Sequence, residues 1–348
     1  MSARADSRRR ASYKRGIGIL KSVMSSDTSA PVTKPDGVPA KSIHLLPPPS
    51  AVKRLCFDET TRTLRPNMVL VDRRGAIVFE INELGLKGAA RDPARKLAVI
   101  WGDSVVFGIG WSWPCLIDKM AAGYQFLNGG IEADPYDNIL RRAEASNHAH
   151  AVALNIVMLG WHPWMLGWHP WHLPAAFAQP ASDSEGPLRR LTQMFRPSPR
   201  EPHMPPMPAD PDPQPIHRRL RADLVEFLQH IPNTVLATMP TALNRTIVDR
   251  DLSRYFSPGG RDTVFTFAGD LAYSMEAQRH MLAHITERNR IVRELAEAVG
   301  TRLVDLAVAF DTERLADFRE DFHDMLHLRP CAYPKAAAIV YEGIKDLL

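Results

Sequence analysis

Five short apolar segments alternate with helical or turn-rich stretches through most of the chain, and this alternation restricts the fold more than any other feature. Residues 97–101, 125–127, 151–159, 234–238 and 303–306 are apolar with few charges, as buried strands are. Helical patterns follow at 113–122, 135–146, 217–229, 271–299 and 334–347. The longest carries Leu282, Ile285, Val292, Leu295 and Val299 at helical spacing, with Gly300 just past its end as a stop. Strand and helix in turn predict a mainly parallel five-stranded sheet covered on both faces, an α/β three-layer arrangement with its site at the carboxyl ends of the strands.

The flanking sequence is different in kind. Residues 1–65 hold 13 Lys and Arg against 5 Asp and Glu, with Arg8, Arg9 and Arg10 in a row and Pro47, Pro48 and Pro49 in another. They read as a disordered basic tail and linker suited to anionic surfaces, ahead of one domain over 66–348. Residues 69–71 and 76–79, joined by Arg73-Arg74-Gly75, read as a β-hairpin before the main sheet. Between the third and fourth strands, residues 174–215 contain 12 of the 29 prolines and read as an insertion. A tandem repeat precedes it: Met158-Leu-Gly-Trp-His-Pro-Trp164 is followed at once by the same seven residues ending at Trp171.

With 45% hydrophobic and 24% charged residues, the composition excludes a wholly disordered chain, a collagen-like fibre and a coiled-coil rod. No run approaches 18 apolar residues and no secretory signal is visible, so the expected location is the cytoplasm. Cys56, Cys115 and Cys331 are widely spaced and odd in number, as reduced thiols are. The basic excess sits in the tail, so the folded body offers no stripe for specific nucleic-acid binding.

Two local patterns carry chemistry. Trp101-Gly102-Asp103-Ser104 ends the first apolar segment, so a serine leaves a parallel strand with its hydroxyl and its own N–H facing a substrate carbonyl. Far downstream, Asp324-Met325-Leu326-His327 sets a carboxylate three residues before an imidazole. At that spacing Asp324 can hold one ring nitrogen while the other faces Ser104. A metallic alternative exists in His323 and His327, four apart as in zinc proteases, but Asp324 is one carbon shorter than the glutamate such sites use and Arg329-Pro330 would end a helix there.

Taken in order, these patterns resemble the SGNH (GDSL-type) hydrolases, serine esterases on a flavodoxin-like sheet; the resemblance spans about residues 82–348. Asn82-Glu83-Leu84-Gly85-Leu86-Lys87-Gly88 is similar to the segment that many members carry before their first strand. The resemblance implies Ser104 as nucleophile, His327 as general base and then acid, and Asp324 as its orienting partner. It also implies an oxyanion hole from the N–H groups of Ser104 and Gly130, the latter in Asn128-Gly129-Gly130, and Asp103 as a residue that orders the turn. The third block departs from the family's Gly-x-Asn-Asp: the chain reads Gly160-Trp161-His162-Pro163, which puts His162 in the asparagine's place with His169 an equivalent candidate in the second repeat. Trp161 and Trp164 are candidate substrate-binding residues.

The implied activity is hydrolysis of short acyl esters or of O-acetylated carbohydrate through an acyl-serine intermediate, with no metal or organic cofactor. An SGNH-type O-acyltransferase shares the first half-reaction and stays open, as does a weakly catalytic SGNH-like binding protein.

Overall fold

The computed structural model describes residues 41–47, 49–108, 110–132, 134–159, 214–242, 275–311, 320–322 and 326–348. The N-terminal part of this set comprises β1 (Ser42–Leu45), α1 (Pro49–Cys56), β2 (Phe57–Asp58), β3 (Thr63–Leu64), β4 (Met68–Val71) and β5 (Ile77–Ile81). The α/β part follows with β6 (Lys96–Gly102), α2 (Ser104–Phe107), α3 (Trp113–Asp118), β7 (Tyr124–Gly130), α4 (Tyr136–His150), β8 (Leu154–Met158), α5 (Gln214–His230), β9 (Thr234–Ala237), α6 (Met275–Val299), β10 (Leu303–Val304), α7 (Leu306–Phe310) and α8 (Tyr333–Ile344).

The main sheet runs β10-β9-β8-β6-β7 and every neighbouring pair is parallel. Numbered by their order within that sheet, its strands lie 2-1-3-4-5, the doubly wound, flavodoxin-like order predicted above. Alternation along the strands sorts the core into two faces. Ala98, Ile100, Phe126, Ile156 and Val235 pack with Trp113 and Ile117 of α3 and Ala336 and Val340 of α8. Leu97, Val99, Trp101, Leu127 and Val157 pack with Ile139 of α4, Leu224 of α5 and Val292 of α6. Apolar side chains that point alternately up and down give a sheet buried on both faces.

Two details of β10 and α6 differ from the sequence reading. The fifth strand stops at Val304, because the Asp305 side chain accepts from the N–H of Val308 and so caps α7. On α6, Val299 is exposed although it keeps the helical spacing, and Gly300 follows at φ 72° as the left-handed stop.

The expectation of a disordered linker up to residue 65 is corrected from residue 42 onward. β1 pairs in parallel with β4, which pairs antiparallel with β5, making a second, three-stranded sheet. Val52, Cys56, Phe57 and Leu64 are buried against Leu70, Phe79 and Ile81, and the cluster extends to Phe107 and Ile131 of the α/β part. The predicted hairpin is present in lengthened form, its turn held by the Asp72 carboxylate, which accepts from the N–H groups of Arg74 and Ala76, with Gly75 at φ 80°. Isolated bridges from Ile81 to Lys87 and from Lys87 to Asn128 join this hairpin to the edge strand β7.

Candidate active site

β6 sits where the strand order reverses, with β7 on one side and β8 on the other, and such a switch point opens a crevice at the carboxyl end of the sheet. Ser104 is the second residue past β6 and the first of α2. Asp103 caps this one-turn helix, its Oδ1 accepting from the N–H of Val105 at 2.9 Å, which is the turn-ordering role implied for it. Burial lowers the pKa of Arg288 in α6 to about 10, and the negative charge of Asp103 opposes the fall.

A helix this short satisfies almost none of its own carbonyls, so others must do so. The N–H of Gly108 donates to Ser104 O, and Trp113 Nε1 donates to Val105 O at 3.1 Å. Asn128 Nδ2 donates to Val106 O at 2.8 Å and also reaches Ser112 Oγ at 2.7 Å. Lys87 Nζ donates to Phe107 O at 2.6 Å and to Gly108 O at 3.3 Å. Lys87 is fully buried, with its ammonium 4.2 Å from the ring centre of Phe107 and 4.7 Å from that of Phe79. Desolvation lowers its pKa to about 8, so it remains a cation at neutral pH, held by two carbonyls and two aromatic faces. Lys87→Met is expected to cost about 2 kcal/mol, the usual result of stripping a charged donor from buried carbonyls, read as a shifted urea midpoint at unchanged m-value.

Glycines let the parts approach. A Cβ on Gly102 would lie 2.3 Å from Val106 Cγ2, and one on Gly130 would lie 2.3 Å from the Phe107 backbone N. Gly130 thus gives α2 room to lie on β7. Its N–H donates to Asn128 Oδ1 at 2.7 Å, a bond that an oxyanion would have to share or displace. The sheet runs on through Gly130, paired with Gly102, where the sequence reading had placed a loop.

His327 arrives from the far end of the chain. Leu326 and Leu328, on either side of it, are buried in the core beneath α8, and Phe322 and Leu328 form an antiparallel bridge. Arg329 reinforces the bend, its backbone N–H donating to Asp321 O and its Nε to Phe322 O. Between these anchors the ring is 7% exposed, and its Nε2 lies 2.8 Å from Ser104 Oγ. With the ring proton on Nδ1, the serine hydroxyl donates to Nε2.

The structure therefore brings together Ser104 and His327, 223 residues apart in sequence. Asp324, His162, Trp161 and Trp164 lie outside the described residues, as do His169 and His323. Among the described residues no group of three or more His, Cys, Asp or Glu side chains is placed to hold a metal ion, and no helix is long and apolar enough to cross a membrane.

A pocket beside the pair is lined by Ser104, Val105, Phe107, Gly108, Glu132, His327, Leu328 and Tyr333. The sequence reading passed over Glu132, which follows β7 by two residues and matches no motif. Burial raises its carboxyl above the ordinary glutamate value, while the positive charges of Lys53 and His327 pull the other way. Lys87 was seen only as part of a similar segment, because a lysine in sequence signals exposure.

No family model and no curated protein matches the chain. Among solved structures it is similar to a lipase/acylhydrolase from Enterococcus faecalis, with 14% identity, 73% of this chain and 97% of that one covered, and a TM-score of 0.42. It is also similar to a GDSL-like lipase from Bacteroides thetaiotaomicron, with 12% identity, coverage of 75% and 93%, and a TM-score of 0.39. A third is an acetylxylan esterase from Geobacillus stearothermophilus, with 14% identity, coverage of 72% and 94%, and a TM-score of 0.39. At such identities and overlaps these likenesses add no weight to the role of any residue; the fold class rests on the sheet order.

Proposed function

We propose that this protein is a serine hydrolase of carboxylic esters that works through an acyl-Ser104 intermediate. The observation that carries the reading is the 2.8 Å approach of His327 Nε2 to Ser104 Oγ at the carboxyl end of β6. In this scheme Ser104 Oγ attacks the ester carbonyl carbon as its proton passes to His327 Nε2. The negative charge gathers on the former carbonyl oxygen, stabilised by the N–H of Ser104, which as the first of its helix has no intrahelical acceptor. The bond to the alcohol oxygen then breaks and the proton on Nε2 leaves with the alcohol. Water attacks the acyl-serine by the same route in reverse, releasing the acid and restoring the hydroxyl.

Asp324 enters as the partner of the ring's other nitrogen and His162 as a further oxyanion donor, both on sequence grounds alone. Short acyl groups are the favoured acyl part, since Val105, Phe107, Leu328 and Tyr333 close around the serine, and an O-acetylated carbohydrate would meet that requirement.

The test is direct. Purified protein is expected to hydrolyse p-nitrophenyl acetate, and a fluorophosphonate probe is expected to mark Ser104 in a tryptic map. Label on another residue, or none, would overturn the assignment.

A further inference from the structure

The pocket beside the Ser104–His327 pair is apolar except at a few places, and Glu132 supplies the one carboxylate among its described lining residues. Glu132 is half-buried, and among the described residues it makes no hydrogen bond or ion pair. Lys53 of α1 and His327 are the charged groups that act on it, both cationic or able to become so. A carboxyl held this way, partly stripped of water, still offers its lone pairs to a donor that enters the pocket.

Accepting the hydrolase reading, on which this inference rests, the missing donor belongs to the substrate. We propose that Glu132 is a specificity-determining residue: its carboxylate receives an ammonium or hydroxyl carried beside the scissile ester and excludes esters with a negative charge at that place. An anionic ester would set like charge against like where water screens poorly, and binding sites reject such partners by repulsion as much as they select by attraction. A donor-bearing ester would instead satisfy the carboxyl. Sites built to hydrogen-bond a substrate group discriminate strongly against analogues that lack it.

Three meta-substituted phenyl acetates of similar shape, bearing aminomethyl, hydroxymethyl or carboxylate groups, separate the possibilities at pH 8. For the wild-type protein the better of the two donor esters is expected to exceed the carboxylate ester in kcat/KM by about tenfold or more. The larger of the two identifies ammonium or hydroxyl as the preferred donor. In Glu132→Gln that ratio is expected to collapse by about tenfold, whereas Glu132→Asp, which keeps the charge, stays within about threefold of wild type. Thermal melts of each variant accompany the kinetics, and Glu132→Ala is the second neutral variant should Glu132→Gln fail to fold. A ratio unmoved in the neutral variants, with wild type turning over the esters, overturns the role of Glu132 alone. No phenol released from any ester together with no probe on Ser104 overturns the hydrolase reading and this assignment with it.

Discussion

Ser104→Ala is expected to lower kcat for p-nitrophenyl acetate by ~10⁴ or more while leaving the fold as stable as before, to within about 0.5 kcal/mol. The Ser104 side chain makes its hydrogen bond to His327 Nε2 and sits at the start of a helix whose cap is Asp103, so alanine removes the proposed nucleophile and little else. His327→Ala is expected to fall nearly as far, because an unassisted serine hydroxyl is a poor nucleophile at neutral pH. The double variant is expected to be no worse than the more damaging single one, the signature of two residues that act as a unit. Steady-state rates with urea melts of the same four proteins check this. Additive losses would mean that the two side chains serve separate steps.

Gly130→Ala is expected to act almost wholly on stability. The new methyl would meet the Phe107 backbone N at 2.3 Å and the Val106 carbonyl carbon at 2.9 Å. Both belong to α2, which is clamped at three successive carbonyls and at that of Gly108 just beyond, and has little freedom to retreat. Overpacking of this kind costs about 3 kcal/mol. An alanine at a true oxyanion donor would keep its N–H and spare the melting temperature. The urea midpoint therefore separates a packing role for Gly130 from a catalytic one.

How much of this was legible in the sequence varies with the physics of each part. The central strands were, because a strand buried on both faces must be an unbroken apolar run, as in Val99-Ile100-Trp101. The meeting of Ser104 and His327 was legible because the proposed chemistry demands those residue types. The support beneath them was not. Lys87 reads as surface, yet two carbonyls and two rings make its burial tolerable. Gly130 reads as a loop glycine, and only three-dimensional packing shows that its space is needed by another element. Residues 42–64 read as a linker because prolines and basic residues mask the spacing of Val52, Cys56, Phe57 and Leu64, whose apolar partners include Leu70 of β4 and Phe79 and Ile81 of β5.

The last of these has a practical side. The residue that tethers α2 from below, Lys87, is itself strung between β5 and β7, and β5 is seated on strands and a helix that begin at Ser42. The cut point that composition invites, near residue 65, would remove β1 and α1 and leave Leu70 and Phe79 facing water. This architecture is not modular at that seam: a shortened version designed around the doubly wound sheet alone would inherit the reacting groups without the foundation that keeps them in register.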